Sequence, residues 1–331
     1  MAENLSNSTN PEELYSAVGE VGAVRRRRSL AERSWIVLKK APPTAWFGMI
    51  VFFCYMFVAL FAPWLAPFGE AEIFPVPFAP WDETHVFGTD QIGRDILSRL
   101  IYGARNTMGI ALLTTLLSFL IGGALGLIAA IDRGLVDQVL GRAMDVLMAI
   151  PSLIFALMLL SIFGSTVTSL IIIIAVLDST RVFRLTRSVA VGVVVMDYVE
   201  VASLRGEGLG WVMRREILPN VMPPLIAEFG LRFCFVFLTI AALSFLGLGI
   251  QPPTADWGSM VRENANLIQF AAYDIKAALT PLLPATTIAL LTIAVNFMVD
   301  WFLHHTSAVS YTHLRAHETS LHLVCRLLLE K

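Results

Sequence analysis

Charged residues are scarce in this chain of 331 residues: Asp, Glu, Lys and Arg together make up 15% of it, against about 25% in ordinary soluble domains. With 56% hydrophobic residues and a mean hydropathy of +0.70, that scarcity excludes a water-soluble fold. The dipeptide Gly-Lys is absent. A P-loop needs Gly-Lys-Ser/Thr to wrap and neutralise phosphate, so ATP is not handled by this polypeptide. Cysteine is nearly absent as well. Cys54 and Cys234 fall in apolar blocks and Cys325 lies near the end, with no CxxC pair and no metal-ligand spacing, so neither a disulfide framework nor a zinc constellation is expected. No Gly-x-Ser-x-Gly elbow and no acid/base pair tied by motif occurs, and no catalytic residue is assigned. The net charge of −2 says little, because in such a chain the position of each charge matters more than the sum.

The chain is instead rich in long apolar blocks that match the roughly 20 residues needed to cross a bilayer core. They predict an all-α polytopic membrane protein with six spans, at about 46–66, 107–131, 145–163, 165–180, 224–248 and 282–303. Val146 to Leu177 is uncharged and broken only at Gly164-Ser165, which predicts a hairpin whose second helix runs past Asp178 into the cytoplasm. The apolar octet from Val189 to Met196 is too short to cross and belongs to a cytoplasmic helical region. Residues 1–45 read as a cytoplasmic tail, polar to residue 24 and then basic from Arg25 to Arg28 and at Arg33, Lys39 and Lys40. No cleavage pattern follows the first apolar stretch, which should stay as an anchor. Fifteen Lys and Arg residues fall on the side of the N-terminus and five on the other side, which predicts that both termini are cytoplasmic.

Between the fourth and fifth spans, Glu200-Val201-Ala202-Ser203-Leu204-Arg205-Gly206 is followed after ten residues by Ile217-Leu218-Pro219-Asn220. Gly206, Gly208 and Gly210 weaken a continuous helix, and Pro219, Pro223 and Pro224 are expected to force the chain out of helix before it enters the membrane. Two short helices joined at glycine are implied. By composition alone an ordinary amphipathic surface loop is the plainer reading. A second stretch runs from His85 through Gly88-Thr89-Asp90-Gln91-Ile92-Gly93-Arg94-Asp95 to Arg99. Capped by Thr89 or Asp90, it predicts an amphipathic helix along the outer interface, with Ile92, Ile96, Leu97, Leu100 and Ile101 opposite Arg94, Asp95, Ser98 and Arg99.

Glu200, Ala202, Gly206, Ile217, Leu218 and Pro219 match the EAA coupling loop of binding-protein-dependent ABC importer permeases, with Val201 replacing the usual second-position Ala. The stretch from Gly88 to Asp95, together with Gln251-Pro252-Pro253 and Asp256-Trp257-Gly258, resembles the dipeptide, oligopeptide and nickel branch of that family. The resemblance covers about residues 40–306 and implies a type I ABC importer permease fold, with a permease domain over 46–306 and a coupling loop over 198–220. It implies that the chain binds no cofactor, ATP and Mg residing on two ATPase subunits. A second homologous permease and an external substrate-binding protein are the other expected partners, working at the cell inner membrane by alternating access on di- or oligopeptides. Nickel chelates, opines and oligosaccharides are carried by relatives of this type. An ion-coupled secondary transporter is the alternative from another class; it explains six spans without explaining the Glu200 to Pro219 loop.

Inside the fifth span Glu228 and Arg232 stand four apart on one helical face, as a pathway or gate pair or as a structural pair. Asp178, Asn296 and Asp300 fall near span ends and read as interfacial. Residues 307–331 resemble a translated vector or adapter read-through and carry no functional reading; their His317-Glu318 fails the HExxH spacing.

Overall fold

The computed structural model describes residues 39, 41–132 and 134–304. The basic run from Arg25 to Arg28 and the stretch from residue 307 onward lie outside the described residues. Among the described residues all regular structure is helical, apart from one isolated bridge between Thr89 and Asp95. The order is α1 (Pro43–Leu60), α2 (Ala62–Leu65), α3 (Ile96–Ile131), α4 (Leu135–Ala149), α5 (Ser152–Phe163), α6 (Val167–Val194), α7 (Asp197–Leu204) and α8 (Leu209–Val212). A π-helical turn over Met213–Ile217 leads into α9 (Leu218–Phe245), followed by α10 (Trp257–Asn264) and α11 (Ile275–Leu279). After a turn at 280–281, α12 runs over 282–304.

Among the described residues four helices are long and apolar enough to cross a membrane: Pro43–Leu60, Ile96–Ile131, Leu209–Phe245 and Ile275–His304. The bent pair α4 and α5 makes a fifth candidate. The expected fourth span, 165–180, falls on α6, whose 28 residues suffice in length but carry Asp178, Arg181, Arg184 and Arg187. As expected, the hairpin turns at Gly164, which ends α5 at φ +88°, and Thr166 caps α6 by accepting a hydrogen bond from Ser169 N–H. The expected third span, 145–163, is not one helix. It breaks at Ile150-Pro151 with a bend of 89°, because proline has no N–H to give and holds the residue before it extended; Ile150 has ψ 133°.

A second correction concerns the prolines. Pro219 sits in the first turn of α9, and Pro223 and Pro224 lie inside the helix without ending it. A π turn precedes Pro219, whose missing N–H is harmless in the first turn, and the Asn220 side-chain amide donates to Glu216 O at 2.6 Å.

The most extensive packing joins α3 to α6. Small residues make the close approach possible: a Cβ on Gly122 would collide with Ser179 O, and one on Gly126 would lie 2.8 Å from Phe183 O. Gly122→Leu should therefore cost about 1–3 kcal/mol through overpacking. Gly123, which has open space beside it, should accept leucine with little change. Thermal unfolding of the two purified variants in detergent checks the contrast.

Candidate functional site: coupling element, outer ion cluster and membrane charge triad

The segment 198–220 contains a hinge. The motif closes α7 through two backbone bonds, Gly206 N–H to Ser203 O at 3.0 Å and Glu207 N–H to Ala202 O at 3.3 Å. This capping arrangement requires a left-handed residue, and Gly206 has φ +83°. The inner side of the hinge is fixed: Val199, Ala202, Val212, Ile217 and Val221 are buried against Leu127 and Ala130 at the end of α3 and Ala190 near the end of α6. Its outer side is bare, with Leu204 79% and Leu209 69% exposed on either side of Gly206 and Glu200 also exposed. Of the matched motif residues, Ala202 and Ile217 anchor the element while Glu200 and Gly206 face outward; Leu218 and Pro219 open α9.

The stretch from Gly88 to Asp95 lies at the opposite end of α3, a helix of 36 residues and therefore about 54 Å long. The interfacial helix expected there does not form. Asp95 caps α3, accepting from Ser98 N–H at 2.8 Å, and the chain before it folds as a tight loop. Asp90 Oδ1 accepts from the N–H groups of Ile92 and Arg94 at 3.0 and 2.9 Å. Thr89 Oγ1 accepts from Ala79 N–H and donates to Val76 O. Gly88 and Gly93 take φ +73° and +86°.

The residues expected on a solvated face are instead the buried ones. Arg99 is only 1% exposed, and its Nη1 reaches Asp90 Oδ2 at 2.5 Å and Glu263 Oε2 at 2.9 Å. Arg94 bonds the same two carboxylates, at 2.7 and 2.8 Å. Two guanidinium groups thus share two carboxylates in a neutral quartet, the arrangement in which buried charges are tolerated. Because Glu263 belongs to α10, the quartet ties the start of α3 to the segment after α9.

Around it, Asp256 caps α10 and accepts from Thr107 Oγ1–H at 2.9 Å, and Trp257 Nε1–H donates to Leu100 O at 2.9 Å. Full burial pushes the Asp256 carboxyl above the usual carboxylate range, against the opposing pull of its hydrogen bonds from Ser259, Thr107 and Ser244.

Midway between the two ends, Arg232 Nε pairs with Glu228 Oε1 at 2.7 Å, as the spacing predicted. Its Nη1 stands 3.6 Å from Asp178 Oδ1, and Asp178 Oδ2 accepts from Ser118 Oγ–H at 3.0 Å. Asp178 is therefore no interfacial residue but a buried partner of the pair, set near the middle of α6. Arg232 also lies over the Phe235 ring, 4.7 Å from its centroid. Ser118 and Glu263 escaped sequence reasoning, and Asp178 was read as interfacial. A charge in mid-helix that demands a partner was the available signal for Asp178.

Residues 122–307 match the family described as the binding-protein-dependent transport system inner membrane component. Residues 29–81 match the N-terminal TM domain of oligopeptide transport permease C. The chain is 36% identical over 260 residues to the di/tripeptide transport system permease protein DppC of Pseudomonas aeruginosa (strain UCBPP-PA14), covering 76% of this chain and 84% of the relative. It is 38% identical over 260 residues to the dipeptide transport system permease protein DppC of Escherichia coli (strain K12), covering 76% and 85%. A solved amino acid ABC transporter with histidines is similar with a TM-score of 0.46 at 20% identity, over 62% of this chain and 93% of that one. With an all-helical membrane architecture and a family match over more than half its length, the chain belongs to the inner-membrane components of binding-protein-dependent ABC transport systems.

Proposed function

We propose that this permease subunit moves di- or oligopeptides inward across the inner membrane, one half of a pathway completed by a second permease and powered by two ATPase subunits. An external binding protein delivers the cargo, and ATP and Mg act on the ATPases alone. The single observation that carries the reading is the hinged element over 198–220: anchored on α3 and α6 by its inner face and presenting Leu204 and Leu209 outward, it suits a rigid lever docked in a protein groove. The excess of Lys and Arg on its side of the membrane supports a cytoplasmic placement, with both termini on that side. The names of the relatives support the peptide as cargo. Family membership favours this reading over an ion-coupled secondary transporter. We assign no role to residues 307–331.

The test is assembly. Leu204→Glu buries a carboxylate in the proposed groove, where a central apolar contact is worth about 2 kcal/mol or more. Co-purification of the ATPase subunits should fall at least about tenfold, while membrane insertion is unaffected. Undiminished co-purification would remove the lever from the account.

A further inference from the structure

The break between α4 and α5 opens onto a pocket of about 350 Å³. On one side stand Ile150 and Pro151, on another Phe235 and Thr239 of α9, and on a third Asp178 and Arg181 of α6. The geometry points to this pocket as the place where the permease itself holds its cargo, Asp178 taking the ammonium and Arg181 the carboxylate of a short zwitterionic peptide. The inference rests on the peptide reading given above.

Four observations carry it. Non-helical backbone at membrane depth is tolerated where it lines a cavity or is buried in protein, and the 89° bend at Ile150-Pro151 lines this one. Second, Asp178, Glu228 and Arg232 together hold two carboxylates and one guanidinium. With Arg181 beside Asp178 in the pocket wall the four groups sum to zero charge, so a zwitterion, itself neutral, binds without leaving net charge in the membrane.

Third, Ser118 and Arg232 hold the Asp178 carboxylate in place, and Arg232 also stacks on Phe235 in the pocket wall. Glu228 and Arg232 are positioning residues in this view, since neither lines the pocket. Fourth, Asp178 and Arg181 are three apart on one helix, so their Cβ atoms lie about 5–6 Å apart. Two extended residues span at most about 7 Å, and the exposed Arg181 side chain has the reach to close the difference.

The experiment uses the assembled transporter in detergent, with Cys54, Cys234 and Cys325 changed to Ala and Thr239→Cys as a maleimide-reactive reporter in the pocket. Dialanine should slow labelling, and N-acetyl-dialanine and dialanine amide should each need about tenfold higher concentration for equal protection, the cost of one lost charged hydrogen bond. Asp178→Asn should abolish the penalty for acetylation and weaken dialanine to the same degree. Arg181→Gln should do the same for amidation. Gel filtration and ATPase co-purification establish that both variants are intact, and Arg181, being exposed, keeps the test open if Asp178→Asn does not assemble.

Equal protection by all three compounds, unchanged protection in both variants, or no protection in a transporter that takes up dialanine would overturn the inference and leave the peptide reading standing. Uptake is measured in parallel in proteoliposomes. Failure to take up any peptide there would overturn the peptide reading, and the pocket assignment with it.

Discussion

Gly206→Pro is expected to abolish ATP-driven uptake while the protein still inserts in the membrane. Proline fixes φ near −65° and has no N–H, whereas residue 206 stands at φ +83° and donates to Ser203 O. The cap that ends α7 cannot form, so the direction in which the chain leaves Leu204 must change. The buried anchors Val199, Ala202, Val212 and Ile217 lie on both sides of the hinge; they hold α7 and α8 to the membrane helices even when the tip is misaligned. Uptake should therefore fall to background while expression and membrane localisation stay near normal. Gly206→Ala, which keeps the N–H and strains φ by only about 1 kcal/mol, should retain partial activity. Glu200→Lys reverses an exposed charge in the first turn of α7 and should likewise uncouple transport without unfolding. Uptake assays in cells, normalised to permease in the membrane fraction, check all three.

Glu263→Ala should produce the largest loss of stability. Removing it leaves Arg94 and Arg99 buried with Asp90 as the remaining carboxylate of the quartet, and a buried charge pair broken from one side costs about 3–5 kcal/mol. A loss of that size is a large share of the net stability of a typical domain. Low yield and early thermal unfolding in detergent should result. Arg105→Gln provides the comparison, because Arg105 is exposed and outside the quartet; it should unfold close to the parent protein. Equal stability of Glu263→Ala and the parent would mean that the quartet is hydrated and contributes nothing.

Much of the fold was legible in the sequence because a bilayer imposes a length and a polarity on each crossing segment. The apolar blocks located α1, α9 and α12 to within several residues and the end of α3, whose start at Ile96 lies eleven residues before the expected span; Gly164 fixed the hairpin between α5 and α6. What stayed illegible were contacts between residues far apart in the chain. Nothing near Arg94 or Arg99 in sequence indicates Glu263, so the residues from Arg94 to Arg99 looked like the wet face of an interfacial helix and turned out to be the dry centre of an ion cluster.

Asp178 was misplaced for the same reason, since Ser118 and Arg232, which hold it, come from two other helices. The prolines misled differently: Pro223 and Pro224 read as helix breakers, yet α9 runs through both, as helices packed within a membrane protein can. For the coupling element, the glycine hinge was legible in the spacing from Glu200 to Pro219, whereas its exposed apolar tip needed the packing of its other face to be known.

Site-directed crosslinking at the hinge tests the central claim most directly. With Leu204→Cys in the reconstituted transporter and single cysteines placed along the groove of the ATPase subunit, oxidation should link the two chains in high yield. ATP should change the yield, and the crosslinked complex should lose uptake that a reductant restores. If residue 204 forms no link and instead reacts with an impermeant maleimide added from outside the cell, force does not enter this permease through the element between Glu200 and Pro219.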